Sequence, residues 1–446
     1  MGAAHLWKDA DVDVLDVGAR YADGHDVLRL TGRRARMTAD TAGVVDYLRP
    51  LNPIIRGRFL RSHMRAHRDL KEARENISRK GAKSAKKSPR AGSLQSRSEN
   101  VKNPTYLKEK LIQYLSCPSC AGAIVLLSSD EREGKEILEG QLGCTSCTAR
   151  WPIVRGVPRF ASIEGVAEDK AATAESFGWQ WQHFTQADEK YEQQFLGWIA
   201  PVAPDFFKDK IVLEGGCGKG RHTQLAAQWR AREVIGVDLS VAVDPAFQAT
   251  RELENAHIVQ ADIFSLPFAR GFDYAFSVGV LHHLPAPRAG FESLASKVKS
   301  GGHISAWVYG AENNEWITRW VNPVRARTSR MNPRALLQLS KLPTALVFAA
   351  TKLVYGPLSR SPRGKALARH LFYNDYLSAI AAFGWREQHT IVFDHLVAPT
   401  SFYISRAEFA DWWAEIGASE VAIKWHNRNS WRGFGKIVDG PSRDQV

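Results

Sequence analysis

The sequence predicts an α/β protein whose main domain is a doubly wound parallel sheet, preceded by a small cysteine-rich module. Between residues 210 and 309, short apolar segments alternate with helical ones, a pattern typical of a parallel sheet. The first apolar segment runs into a glycine-rich loop, and two pairs of cysteines lie ahead of it. With 446 residues, the chain is long enough for two or three domains.

The apolar segments predict five strands, then a mostly helical insert at about residues 312–398, then a helix and two closing strands. The closing helix is predicted over Arg406–Ile416. In chain order the predicted strands are Ile211–Glu214, Glu233–Asp238, His257–Ala261, Tyr274–Val278, His303–Tyr309, Glu420–Trp425 and Phe434–Val438.

The loop after the first strand indicates a ligand that the backbone approaches closely. Glu214 ends the strand, and Gly216, Gly218 and Gly220 alternate before a helix. Glycine is needed where the chain turns sharply beside a ligand. The spacing differs from the dinucleotide-binding G-x-G-x-x-G, and the absence of a following Gly-Lys-Ser/Thr excludes a phosphate-binding P-loop.

Acidic residues end the next two strands. Asp238 follows Gly220 by 18 residues and can accept both hydroxyls of a ribose, and Asp262 can reach an adenine amino group. A fourth strand leads into His282 and His283. Because open α/β sheets bind ligands at the carboxyl ends of their strands, these features are expected to meet at one site.

This order of features resembles the class I S-adenosylmethionine-dependent methyltransferases, a group that includes ubiquinone and menaquinone biosynthesis enzymes. The resemblance is strong over residues 210–310 and implies a Rossmann-like sheet with S-adenosylmethionine as cofactor. The glycine loop would cradle the amino-acid part, Asp238 the ribose, and Asp262 the adenine. Glutamate at position 214 replaces the commoner aspartate. The implied cofactor contacts are Glu214, Gly216, Gly218, Gly220, Asp238, Leu239, Asp262 and Ile263.

His283 is the predicted catalytic residue. Methyl transfer requires positioning of the nucleophile and, for a hydroxyl, removal of its proton, and histidine titrates near neutral pH. A structural role for the histidine pair is the alternative. Three further segments are expected either to shape the acceptor site or to pack in the core: Phe177–Phe184, Phe393–His395 and Asn429–Gly433.

The cysteine pairs predict a structural zinc site. The pairs are separated by 23 residues, and four thiolates complete a tetrahedral site without an open position. Five cysteines in total, four of them in CxxC pairs, favour metal over disulfides, with redox-active pairs as the alternative. The predicted ligands are Cys117, Cys120, Cys144 and Cys147.

Residues 111–160, which end in Trp151–Phe160, resemble the zinc-ribbon activator protein that partners tRNA, rRNA and protein methyltransferases. The resemblance implies a docking or stabilising role for this module. The predicted organisation is therefore an N-terminal segment of unknown role at 1–48, a basic helix and disordered linker at 49–106, a zinc ribbon at 107–164, and a methyltransferase domain at 165–446.

The net charge of +13 is concentrated near the N-terminus, because residues 1–110 carry 24 Lys/Arg against 13 Asp/Glu. A solvated basic tail is expected, with binding to nucleic acid or anionic lipid as the alternative.

No apolar run is long enough to span a membrane, and the start lacks a secretory signal. The expected location is cytoplasmic, with peripheral membrane contact through residues 336–358 as an alternative.

The near-neutral catalytic region and the apolar insert favour a small-molecule, sugar or lipid-linked acceptor methylated at oxygen, held in a closed pocket. Two alternatives remain at this point. One is an rRNA or tRNA base methyltransferase, and the other is a non-catalytic zinc-ribbon adaptor.

Overall fold

The computed structural model of the chain describes residues 107–133, 136–161, 168–183 and 191–438. The N-terminal segment, basic helix and linker predicted for residues 1–106 lie outside these ranges. The strands are β1 Ile124–Glu133, β2 Glu136–Cys144, β3 Arg150–Val154, β4 Val157–Pro158, β5 Ile211–Gly215, β6 Glu233–Asp238, β7 Ala256–Gln260, β8 Phe272–Val278, β9 Val298–Tyr309, β10 Ser419–His426 and β11 Ser430–Lys436.

The described helices fall into three groups, which lie before β5, between β5 and β9, and between β9 and β10. They are α1 Leu107–Ile112, α2 Glu168–His183, α3 Tyr191–Ile199, α4 Arg221–Gln228, α5 Val243–Thr250, α6 Pro287–Lys297, α7 Asn322–Thr328, α8 Pro333–Leu339, α9 Lys341–Ala350, α10 Gly356–Leu358, α11 Pro362–Ala368, α12 Asn374–Ile380, α13 Trp385–Val397 and α14 Arg406–Glu415. Short 3-10 turns cover Pro204–Phe207 and Leu281–His283, and π-helical turns cover Ile317–Val321 and Thr351–Tyr355.

The main sheet has seven strands in the order β10-β11-β9-β8-β5-β6-β7. Strands β5 to β9 run parallel, and β11 and β10 complete the sheet in antiparallel pairing. The order reverses between β5 and β8, so their carboxyl ends open a crevice there, where doubly wound sheets bind ligands. The predicted Rossmann-like fold class is confirmed.

The closing strand begins earlier than predicted. We expected Phe434–Val438, whereas β11 already pairs Ser430 with Tyr309. The strand continues through its glycines. They have no side chain, and this leaves room for the indole of Trp413. A Cβ at Gly433 would lie 2.4 Å from that ring. Glycine inside a strand here marks a close side-chain approach and not a turn.

The cysteine-containing module is a four-stranded antiparallel sheet, in the order β1-β2-β3-β4, with α1 beside it. Its small core contains the fully buried Leu111, Ile137 and Leu142. The module also extends the main sheet, since the chain after β4 pairs in parallel with the end of β7. Phe160 N–H donates to the carbonyl of Gln260 at 2.8 Å.

Between β9 and α14, residues 312–398 are mostly helical. Leu336, Phe393 and Val397 make the small core of this insert, and Phe393 is fully buried. Much of its apolar surface is exposed nonetheless, as at Leu342 and Leu353. Among the described residues, none of the helices combines the length and apolar character that crossing a bilayer requires.

Candidate functional site

A cavity of about 500 Å³ lies at the carboxyl ends of the parallel strands, between the sheet and the insert. Six of the predicted cofactor contacts line it: Gly216, Gly218, Asp238, Leu239, Asp262 and Ile263. We call the part of the cavity that these six residues line the cofactor half. Helix α2 covers it, and Trp181 of that helix lies directly over Gly218.

The glycine loop is shaped by its glycines and held by the second strand. Gly216 has a φ of 79°, and a Cβ there would lie 2.3 Å from the side chain of Val280. The amides of Gly216 and Cys217 both donate to the carbonyl of Val237, at 2.7 and 2.9 Å. The loop is therefore fixed beside β6, and only glycine fits at its first turn.

Glu214 lies behind the loop and does not line the cavity, unlike the prediction. Its carboxylate accepts from His222 Nδ1 at 3.1 Å and from the hydroxyl of Thr223. The side chain is 1% exposed, so both oxygens serve to hold the start of α4. Gly220, with a φ of 79°, likewise begins that helix and packs against Ala246.

Asp238 and Asp262 present carboxylates along the cofactor half. Asp238 accepts from the Gly218 amide at 2.9 Å and from the Ser240 hydroxyl at 2.7 Å. Burial raises the pKa of Asp238 above its usual value. Asp262 forms an ion pair with Lys170 of α2, a residue that the sequence analysis did not single out.

Two basic side chains, those of Lys219 and Arg221, lie at the glycine loop. The guanidinium of Arg221 lies 3.9 Å from the ring centre of Tyr191. The ammonium of Lys219 lies 5.6 Å from the ring centre of Trp181, and burial lowers the pKa of Lys219 to about 7. The charged guanidinium of Arg221 suits the carboxylate of an amino acid bound against the loop.

The structure distinguishes the two neighbouring histidines. His283 lines the cavity, whereas His282 is fully buried outside it and packs at a tilt against Tyr309, with 3.9 Å between ring centres. Nδ1–H of His283 donates to the carbonyl of Thr400 at 2.7 Å, which leaves Nε2 as an acceptor. Burial lowers the pKa of His283 to about 4, so this imidazole is neutral at physiological pH.

The insert forms the other half of the cavity. Helix α13 contributes Asp394 and His395, and α12 contributes Tyr376. The hydroxyl of Tyr309, at the end of β9, donates to Asp394 at 3.3 Å. Of the three segments expected to shape the site, each contributes to the wall, through Phe177, Asp394 and Asn429 among others.

The four cysteines of the ribbon form one cluster. Their Sγ atoms all lie within 4.8 Å of one another, with 3.8 Å between Cys117 and Cys147 and 3.5 Å between Cys120 and Cys144. Tetrahedral zinc with a bond of about 2.3 Å to each sulfur needs sulfurs ~3.8 Å apart. The Ser146 amide also donates to Cys144 Sγ at 3.3 Å, a contact that suits a thiolate.

Residues 213–306 match the family described as "Methyltransferase domain". The chain is 36% identical over 129 residues to the tRNA U34 carboxymethyltransferase of Tolumonas auensis, a match covering 27% of this chain and 36% of that protein. It is 30% identical over 134 residues to the enzyme of the same name from Vibrio cholerae, covering 29% and 40%. The chain thus spans about two fifths of the length of these relatives.

Solved structures resemble the chain more loosely. The complex of the Haloferax volcanii Trm112 methyltransferase activator with a methyltransferase has a TM-score of 0.35 at 14% identity, covering 61% of this chain and 99% of the other. Magnesium protoporphyrin IX methyltransferase from Synechocystis PCC 6803 with bound S-adenosylmethionine has a TM-score of 0.35 at 13% identity, with the same coverages.

The family match, together with the strand order and the glycine loop, confirms the predicted class I methyltransferase domain and its cofactor, S-adenosylmethionine. The predicted small-molecule, sugar or lipid-linked acceptor is wrong, and so is the partner expectation that disfavoured nucleic acid. The curated relatives are named as tRNA-modifying enzymes. The expectation rested on the near-neutral net charge of the whole catalytic region, whereas residues 312–398 alone carry 12 Lys/Arg against five Asp/Glu.

Proposed function

We propose that this class I S-adenosylmethionine-dependent methyltransferase methylates a base of tRNA. The observation that carries the proposal is the identity of up to 36%, over 129 residues, with tRNA U34 carboxymethyltransferases. Transfer from S-adenosylmethionine supplies the methyl group as an activated sulfonium. The chain contributes binding, orientation and the handling of a proton.

The cavity fits a base turned out of its stack. Enzymes that modify a base extrude it into a pocket, where aromatic side chains stack on it. Trp198, Trp307 and Tyr309 line this cavity, with 5.1 Å between the ring centres of the two indoles. A cavity of about 500 Å³ must hold the cofactor as well, so the acceptor enters as a single nucleotide and not as a folded helix.

The insert supplies charge for the phosphate backbone. The insert carries many exposed cations, and contacts between such cations and phosphates give most of the affinity for nucleic acid. They include Arg319, Arg327, Arg330, Arg334, Lys341, Arg360, Arg363, Lys365 and Arg369. A tRNA substrate implies a cytoplasmic location.

The geometry of the glycine loop and the strand ends supports the cofactor contacts that we propose. Asp238 binds the ribose hydroxyls, Asp262 and the Ile263 backbone bind the adenine, and the glycine loop with Arg221 binds the amino-acid part. His283 stays the predicted catalytic residue. Since its Nε2 is an unprotonated acceptor, it can orient the acceptor base by a hydrogen bond.

The ribbon binds a structural zinc ion through Cys117, Cys120, Cys144 and Cys147. A module with so small a core gains much of its folding free energy from the metal. Two arginines connect this module to the catalytic domain, because Arg155 and Arg159 both pair with Asp244 at the start of α5. The zinc ribbon therefore stabilises the outer edge of the sheet beside the adenine end of the site.

The test compares tRNA from cells that carry the gene with tRNA from cells that lack it. Digestion to nucleosides and mass spectrometry should show one modified nucleoside that disappears with the gene and returns with the wild-type gene, but not with the Asp238→Ala variant. The mass increment tells a methyl group from a carboxymethyl group. Identical nucleoside profiles in tRNA, with a change in rRNA or in no RNA, would overturn the proposal.

A further inference from the structure

The insert half of the cavity is lined by one face of α13. Residues spaced by three and four along this helix point the same way, and Glu387, Thr390, Ile391, Asp394 and His395 all reach the cavity wall. The glycine loop and the strand ends account for the cofactor half. The acceptor must therefore bind against this face of α13.

Asp394 is held there by two donors from different parts of the chain. Nε2 of Gln180 in α2 donates to Oδ1 at 3.2 Å, and the hydroxyl of Tyr309 donates to Oδ2 at 3.3 Å. These contacts join the helix that covers the cofactor, the end of β9 and the insert. They fix the direction of the carboxylate without using all its lone pairs, since a carboxylate can accept about four hydrogen bonds.

Gln180 offers a second, independent indication that a ligand binds here. Its side chain is fully buried and lines the cavity, and its Oε1 has no hydrogen-bond partner among the described residues. Turning the amide round would set Oε1 against the Asp394 carboxylate, two acceptors facing each other. The observed orientation leaves a buried acceptor that a ligand N–H or O–H would satisfy.

The surroundings of Asp394 shift its pKa in opposite directions. Burial raises the pKa of Asp394 to about 6, against the hydrogen bonds from Gln180 and Tyr309 and the charges of Arg325 and Arg221. Tyr376 of α12 also faces this carboxylate. The neighbouring His395 has a pKa lowered to about 3 by burial, so it is neutral and a poor base.

We propose that Asp394, oriented by Gln180 and Tyr309, accepts the proton that the acceptor atom loses when it is methylated. The inference rests on the proposed function and adds the proton acceptor to it. The acceptor atom forms its new bond to the methyl carbon while the bond from that carbon to sulfur breaks and leaves its electron pair on sulfur. The proton of the acceptor N–H or O–H passes to an Asp394 oxygen, and water removes it after product release.

The test is the pH dependence of kcat for the full, zinc-loaded chain, with total tRNA from cells lacking the gene as acceptor. The wild-type rate should fall about tenfold per pH unit below pH 6, because the protonated carboxyl cannot accept a proton. Asp394→Asn should lower kcat by about 10²–10⁴-fold and abolish this acid limb. Its affinity for S-adenosylhomocysteine, measured by calorimetry, should stay unchanged.

Tyr309→Phe separates proton transfer from a structural effect. The loss of this donor raises the pKa of Asp394, so the acid limb should move to higher pH. Asp411→Asn, on the exposed face of α14, is the matched control and should behave as the wild type. Retention of the acid limb in Asp394→Asn, or loss of its affinity for S-adenosylhomocysteine, would overturn the proposal.

The two proposals fail differently. If the wild type labels rRNA or a small acceptor but not tRNA, the proposed function is wrong, and the same pH profile with that acceptor still decides the role of Asp394. If the wild type labels tRNA and Asp394→Asn keeps a rate within about threefold, the proton acceptor is wrong and the function stands. Absence of label with every acceptor overturns both.

Discussion

The carboxylate of Asp238 accepts a hydrogen bond from the backbone amide of Gly218 at 2.9 Å. This contact ties the end of β6 to the middle of the glycine loop, 20 positions earlier in the chain. The other oxygen of Asp238 accepts from the amide and hydroxyl of Ser240, at 2.8 and 2.7 Å. The carboxylate is therefore already oriented at the cavity wall before a ribose binds, which lowers the entropic cost of binding.

Asp238→Ala should weaken binding of S-adenosylhomocysteine by about 10–100-fold, since hydrogen bonds to a charged group contribute about 1.5–3 kcal/mol. Isothermal calorimetry on the purified chain measures the change. Asp205→Asn, an exposed carboxylate before β5, is the control. Equal affinity of Asp238→Ala and wild type would exclude the proposed ribose contact.

Cys144→Ser should lower the affinity for zinc by more than about 100-fold, because losing only a hydrogen-bond partner of a metal ligand already costs about 10–100-fold. Zinc per chain is measured by mass spectrometry after dialysis against a chelator. Cys217→Ala is the matched control, since Cys217 is buried in the glycine loop, away from the cluster. Full zinc retention in Cys144→Ser would contradict the four-thiolate site.

Gly156→Ala should destabilise the contact between the ribbon and the catalytic domain by about 1–3 kcal/mol. Gly156 has a φ of 79°, and a Cβ there would lie 2.4 Å from the ring of Phe247. The free energy of unfolding in urea measures the loss. Gly301→Ala provides the comparison, because Gly301 has a similar φ of 74° and nothing lies within 4 Å of a Cβ at that position. Equal destabilisation by both substitutions would mean that this contact is unimportant.

Asp394→Asn should raise the melting temperature at pH 7 to 8 while it lowers activity. The pKa of Asp394 in the folded protein, about 6, lies above its usual 3.8, so its ionisation costs folding free energy. The protonated carboxyl contributes folding stability that the wild type has in full below pH 3.8. The wild type loses this contribution as the pH rises through about 6. Calorimetric scans should therefore show the two proteins converging at low pH. A wild type that is the more stable protein at pH 8 would contradict the raised pKa.

The parts of the site that the sequence predicted are those whose residues are close in the chain or follow a fixed spacing. The glycine loop, Asp238 and Asp262 each lie at or just after the end of a strand, and the cysteines occur in CxxC pairs, so a local sequence pattern was sufficient to place them. The exact contacts of Glu214 were not predictable, because its partners depend on how α4 folds back over the loop.

The acceptor half depends on contacts between distant segments. Asp394 meets Tyr309 across 85 positions and Gln180 across 214, and no local pattern links these residues. The acceptor class was missed for a different reason. The expectation rested on the net charge of the whole catalytic region, whereas the cations are concentrated in the single continuous segment 312–398.

The most direct test of a tRNA methyltransferase is transfer of radioactive methyl from labelled S-adenosylmethionine to total tRNA from cells lacking the gene. With the full, zinc-loaded chain, label should enter the tRNA fraction and co-migrate with a single modified nucleoside after digestion. Asp238→Ala should transfer little or none. Label that stays out of tRNA, while the wild-type chain binds S-adenosylhomocysteine normally, would contradict the proposed substrate.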